Sequence, residues 1–139
     1  TIKKSDLAPE VVAKLSEILD YILYQSKESK VLISKEIELI ENYIMLEKLR
    51  YGNRLNLNFI HELEKPHAKI APLILISIVE NAFKHGASGS IKEVEIQINL
   101  RQQSNQIIFD VFNTKPPVKQ KDDANFKDGI GSENVKLTE

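Results

Sequence analysis

The chain has no cysteine and no tryptophan, and a single methionine among 139 residues. Without cysteine there is no disulfide, no thiolate nucleophile and no cysteine-ligated zinc site. Neither sign of charge prevails. The 19 basic and 20 acidic side chains leave a net charge of -1, which gives no overall attraction to nucleic acid or to an anionic membrane. No apolar run approaches the ~20 residues that cross a bilayer. Signal-peptide, Walker phosphate-loop and dinucleotide-fingerprint patterns are all missing. The three histidines, His61, His67 and His85, do not fall at helical metal-ligand spacing. The chain also opens without Met, so a fragment is expected, one whose parent is free to be membrane-bound.

What is present reads as one ordinary globular domain, 42% hydrophobic and 28% charged, long enough to bury a core. Apolar periodicity predicts a helix near residues 9–26 with Pro9 in its first turn. A short apolar segment, Val31-Leu-Ile33, follows. A second helix is predicted from an N-cap at Ser34 to Tyr51, with Gly52 just past its end. Alternation predicts strands over residues 54–61, 93–100 and 107–112, the last two joined through Ser104-Asn105 as a hairpin. Residues 113–128 are polar and carry adjacent prolines, the signature of a long functional loop. Gly129-Ile-Gly131 then reads as a turn entering a helix. Helices first and strands around a central helix afterwards give an α+β domain with helices on one face of a mixed sheet.

The most informative stretch is Pro72-Leu-Ile-Leu-Ile-Ser-Ile-Val-Glu-Asn-Ala-Phe-Lys-His-Gly86. Apolar side chains cover most of this helix. Ser77, Glu80, Asn81, Lys84, His85 and Ser88 fall on one face. A solvated charged face is the competing explanation, but the apolar arc is wide for a surface helix. Ionised groups in apolar surroundings are costly unless paired, metal-bound or facing a cleft, so the row is expected to line a polar site. Glycines before a helix favour anion binding through free backbone N–H groups, a weak signal by itself.

Taken together, the striped helix, the strand ending Val111-Phe-Asn113, the long loop and the Gly-x-Gly turn resemble the nucleotide-binding domain of the GHKL ATPase superfamily. The resemblance is closest to LytS/YehU-like sensor histidine kinases. Ala71-Pro-Leu-Ile-Leu-Ile-Ser-Ile-Val-Glu-Asn-Ala-Phe-Lys-His-Gly86 is similar to that family's N box, its Glu-Asn-Ala-x-Lys-His-Gly run being the specific part, and Gly129-Ile-Gly-Ser-Glu-Asn-Val135 looks like its second glycine box. Glu36 to Gly52 resembles the helix before the ATPase sheet, and Leu15 to Leu23 the end of the helical region.

The resemblance implies a two-layer sandwich of the Bergerat type, C-terminally incomplete. Residues 1–30 would end a dimerisation and phosphoacceptor region, and residues 31–139 would form a partial ATP-binding catalytic domain. ATP and Mg²⁺ are the implied cofactors, with Asn81 as the metal ligand and Glu80 as base or polarising group. Lys84 and His85 would contact phosphate, and Gly129 and Gly131 would let a lid formed by the loop fold over the triphosphate. Asn113 would meet the adenine amino group. Many GHKL proteins have Asp there, and Asn keeps the acceptor oxygen without the charge.

The implied activity is transfer of the γ-phosphoryl group to a histidine outside this chain and then to a response regulator, one of LytTR type by analogy. The parent would be a homodimeric inner-membrane sensor, and this part cytoplasmic, with no nucleic-acid or direct membrane contact. Two further features depart from the family besides Asn113: Asp20 stands where Arg is common, and the phosphoacceptor run Asn-Pro-His-Phe is absent. The alternatives are a nucleotide-binding or dimerisation module without catalysis, and another GHKL ATPase such as an anti-sigma serine kinase.

Overall fold

The structure, a computed structural model, describes residues 4–86, 93–114 and 130–138. Helix α1 (Lys4–Leu23) leads through a 3-10 turn (Gln25–Lys27) to strand β1 (Val31–Leu32) and helix α2 (Ile33–Tyr51). A second 3-10 turn (Gly52–Arg54) precedes strand β2 (Leu55–Glu62). Strand β3 (Lys69–Ile70), helix α3 (Ile74–Gly86), strands β4 (Val94–Gln103) and β5 (Gln106–Thr114), and strand β6 (Ile130–Thr138) complete the order. The α+β class expected from the sequence, helices followed by a mixed sheet, is the one observed. The chain forms two compact units, Thr1–Gly52 with Pro66–Ile76, and Asn53–Lys65 with Ser77–Glu139. These cuts fall elsewhere than the division after residue 30, which concerns function rather than compactness.

In the first unit α1 buries Ile18 and Tyr21, and α2 buries Ile33, Ile37, Leu39, Ile40 and Ile44. Asn42 Nδ2 on α2 donates to Glu17 Oε2 on α1 at 2.9 Å. β1 pairs antiparallel with β3, Val31 opposite Ile70, and the Ile33 N–H donates to the Ala68 carbonyl at 2.8 Å. Gly52 caps α2 at φ 61, a conformation that suits glycine, and its N–H bonds the Lys48 carbonyl.

Two sequence expectations are corrected here. α1 starts at Lys4, so Pro9 lies inside the helix rather than in its first turn. As the sixth residue of the helix, it removes one N–H from the ladder. Ser34 is not the N-cap: α2 begins at Ile33 after an extended Leu32 that makes no side-chain cap bond. The strand pairing of Val31 and Leu32 with β3 and the bond from Ile33 to Ala68 fix that start instead. The apolar periodicity of α1 also spreads beyond its buried side, leaving Val12, Leu15, Leu19, Ile22 and Leu23 exposed.

The second unit holds a four-stranded sheet ordered β2-β4-β5-β6. β2 runs parallel to β4, and β4, β5 and β6 run antiparallel to one another. A parallel pair requires a long crossover, and the chain from β2 to β4 carries α3 along it. One face of the sheet is apolar: Leu55 and Leu57, then Val94, Ile96, Ile98 and Leu100, then Ile107, Phe109 and Val111 are all buried. The other face is mostly polar, with Asn58 and Gln97 as cross-strand partners on it. The hairpin forms as expected, with Gln103 opposite Gln106 and Ser104 at φ 55 in the two-residue loop.

Two expectations about helices fail. Pro72 does not open the central helix; Pro72 and Leu73 form a turn, and α3 starts at Ile74. The residues after Gly131 form strand β6, not a helix. β5 offers a second edge of unpaired backbone groups, and β6 pairs along it with Val135 in register with Phe109 and Leu137 with Ile107.

Candidate functional site

The site expected from the sequence rests on α3. Leu75, Ile76, Ile78, Val79, Ala82 and Phe83 are buried, whereas Ser77, Glu80, Asn81 and Lys84 are exposed. The polar row at i, i+3, i+4 and i+7 is therefore real, and it faces outward from a helix otherwise committed to the core.

Asn113 lies on the buried face of β5, 7% exposed, and its Nδ2 donates to the Ala82 carbonyl at 3.1 Å. A buried amide needs such a partner. This bond ties the end of β5 to α3 beside Asn81. Gly131 on β6 is the strand partner of Asn113, and Ile96 is its partner on β4. Thus Asn113, Gly131 and the Asn81–Ala82 segment share one neighbourhood. Gly129, Ser88 and the expected lid from residue 115 onward lie outside the described residues, and so does the side chain of His85. His61 and His67 are exposed, as solvated residues would be.

The donor set suits a hard cation of low protein coordination. Asn81 supplies an amide oxygen and Glu80 a carboxylate, both open to solvent, and Mg²⁺ takes few protein ligands and keeps its remaining positions for phosphate and water. Among the described residues no group of three or more His, Cys, Asp or Glu is placed to hold a metal. Lys84, one turn beyond Glu80, is exposed on the same side of the helix.

Sequence reasoning missed a second polar centre, in the first unit. Glu36 on α2 is 1% exposed. Its Oε1 accepts the Leu73 N–H at 2.7 Å, and its other oxygen accepts the Tyr21 hydroxyl of α1. Burial raises the Glu36 pKa above the usual carboxylate range, against the lowering effect of these two bonds. Burial and the Glu36 carboxylate together push the Tyr21 phenol well above its ordinary value, so it stays protonated and donates. The only signal in the sequence was a carboxylate on the apolar side of a helix.

On α2, Glu47 is raised by burial, partly offset by Arg50. A polar cleft of about 100 Å³ between α1 and α2 is lined by Glu17, Asp20, Tyr21, Lys35, Glu38 and Asn42 among others. Among the described residues no helix is long and apolar enough to cross a membrane.

Comparison with known proteins adds the following. Residues 1–55 match the family model for histidine kinase. The sensor protein kinase HptS of Staphylococcus aureus strain USA300 is 28% identical over 102 residues, which are 73% of this chain and 20% of HptS. The chain therefore spans about a fifth of the length of the curated relatives it matches. Among solved structures, the histidine kinase AdeS of Acinetobacter baumannii is similar with a TM-score of 0.51 at 11% identity, over 96% of this chain and 79% of that one. That likeness is one of fold. A complex of histidine kinase ThkA with response regulator protein TrrA is similar with a TM-score of 0.44 at 20% identity, over 87% of this chain and 37% of that one.

Proposed function

We propose that this chain is the ATP-binding catalytic part of a bacterial sensor histidine kinase, with the end of its helical region attached. The observation that carries the reading is the bond from Asn113 Nδ2 to the Ala82 carbonyl, which joins the end of β5 to α3 one residue from Asn81. The match of residues 1–55 to the histidine kinase model and the similarity to HptS support it.

In this reading Asn81 holds Mg²⁺ through its amide oxygen. Glu80 polarises the attacking group, and Lys84 and His85 bind phosphate. With Nδ2 engaged by Ala82, the Asn113 oxygen is the atom that accepts from the adenine amino group. Gly129 and Gly131 give the backbone freedom to approach phosphate. Bound Mg-ATP would supply the γ-phosphoryl group and the charge that the metal neutralises. Residues 1–30 belong to the helical region and residues 31–139 to the catalytic domain.

The finer assignments follow from the same reading. The Glu-Asn-Ala-x-Lys-His-Gly run and Asn113 support the LytS/YehU-like subtype, and with it a LytTR-type response regulator. The exposed Val12, Leu15, Leu19 and Ile22 on α1 repeat at the alternating three- and four-residue spacing of a helix-pairing seam. This supports a homodimer of the parent protein, an inner-membrane sensor with this part in the cytoplasm.

A test is incubation with radiolabelled ATP followed by acid-labile phosphate analysis, on this chain and on a protein extended upstream and downstream. None of His61, His67 and His85 lies in a phosphoacceptor-like motif, and in-line transfer tolerates little misplacement. The extended protein is expected to label and this chain alone is not. Robust acid-labile labelling of this chain would contradict the reading. Nucleotide binding without transfer in the extended protein would favour a non-catalytic module, the reading suited to an Asn113 amide that serves mainly to hold α3.

A further inference from the structure

Strand β2 ends the four-stranded sheet, and among the described residues β4 is its one strand partner. Its other side presents a row of backbone N–H and C=O groups to any further strand. Natural edges of this kind are guarded by proline, lysine, a bulge or a short length. β2 has none of these guards. It is eight residues long, Leu55–Glu62, with neither proline nor lysine. Its register with β4 runs through eight successive pairs without a bulge. Asn56, Asn58 and Ile60, which alternate along it, are uncharged and exposed, Ile60 at 51%. The whole strand lies in the second compact unit.

We propose that the outer edge of β2 pairs antiparallel with β2 of a second copy of this chain, about a twofold axis at Asn58. Directly opposite residues of an antiparallel pair point to the same face of the sheet. Leu55 and Leu57 mark the buried face of β2. That face stays continuous across the axis only where odd residues meet odd and even meet even. Among the registers that obey this rule, the one centred on Asn58 engages the whole strand. It sets Leu57 opposite Phe59, Asn56 opposite Ile60 and Leu55 opposite His61. At each end it brings the exposed, acidic Glu62 opposite the basic Arg54 that precedes the other copy's strand. Opposite charges in that relation favour pairing. Moving the axis to Leu57 or Phe59 sets Glu62 against Gly52 or Asn56 instead and loses the match. The strand is thus complementary to itself in charge, and this selects a second copy as its partner. The contact involves no residue of α1 and does not rest on the function proposed above.

The chain has no cysteine, so single cysteines report the register directly. Asn58→Cys, Asn56→Cys and Ile60→Cys are made in the full chain and oxidised with copper phenanthroline. In the proposed pair the two copies of position 58 lie ~5 Å apart at Cα, within reach of a disulfide. The two copies of position 56 are four residues of strand apart, about 13 Å, which is beyond reach. Asn58→Cys is expected to give about tenfold more covalent dimer than Asn56→Cys or Ile60→Cys alone. A mixture of Asn56→Cys with Ile60→Cys should recover the covalent dimer, because these positions face each other. Leu19→Asp, on the exposed side of α1, should leave this pattern unchanged. Sedimentation equilibrium of the cysteine-free chain gives a second readout. Glu62→Arg sets like charges opposite each other at both ends and should weaken self-association about fivefold. Equal crosslinking of the three single variants, or a pattern abolished by Leu19→Asp, would overturn the proposal. So would self-association that Glu62→Arg leaves unchanged. A chain that stays monomeric and uncrosslinked would overturn it as well, and would mean that a strand of another kind, or none, covers β2.

Discussion

Glu36 and Glu80 are both carboxylates on helices rich in apolar residues, and the fold treats them oppositely. Glu36 is buried and fully engaged, by a hydroxyl from α1 and a backbone N–H ahead of α3. Glu80 stands exposed on α3 beside Asn81 and Lys84. A buried polar group must find its partners within the chain, so Glu36 serves the architecture. An outward row of carboxylate, amide and ammonium on a helix otherwise sunk in the core is available to something outside the chain. The two centres differ in what they can lose: one should govern stability and the other binding.

The largest effect should therefore come from the buried centre. Glu36→Ala would leave the Tyr21 hydroxyl and the Leu73 N–H unpaired beside a cavity, and should cost about 2–4 kcal/mol of unfolding free energy in urea titrations. Asn81→Ala, at an exposed position, should stay within about 0.5 kcal/mol. Equal losses would erase the distinction. Asn113→Asp comes next. A carboxylate cannot donate to the Ala82 carbonyl and would be buried against it, so a loss of about 1–3 kcal/mol is expected. A neutral result would mean that the Asn113–Ala82 bond does not hold α3 to β5.

A smaller, pH-dependent effect follows from the raised pKa of Glu36. A carboxyl group whose folded pKa lies above its unfolded value stabilises relative to the ionised form at low pH, and that contribution is lost as pH rises through the folded pKa. Above the ordinary value of 4.5, the stability of the unmutated chain should thus fall relative to Glu36→Gln as pH increases. Parallel pH profiles of the two proteins would show that the pKa of Glu36 is not raised by folding.

Much of this contrast could be read from the sequence, and the limits have physical causes. The row Ser77, Glu80, Asn81 and Lys84 was legible because helical period alone sorts a helix into faces. The strands of the hairpin were legible from alternation, and Ser104-Asn105 from its turn chemistry. Leu73 was misread as helical, its N–H being bound by Glu36, a residue 37 positions away in sequence. β3, two residues long, exists only because β1 offers it an edge. The helix expected after Gly131 gave way to a strand because β5 had a free edge for it to pair with. Each of these outcomes was decided by a tertiary partner that local pattern does not contain.

The claim that the outward face of α3 holds a metal-bound nucleotide is tested most directly by calorimetry of ATP with and without Mg²⁺, on the unmutated chain and on Asn81→Ala. The amide oxygen is assigned to the metal and not to adenine. Asn81→Ala should therefore weaken binding by about tenfold or more when Mg²⁺ is present and change it little when Mg²⁺ is chelated. An equal loss in both conditions, or none in either, would contradict the assignment.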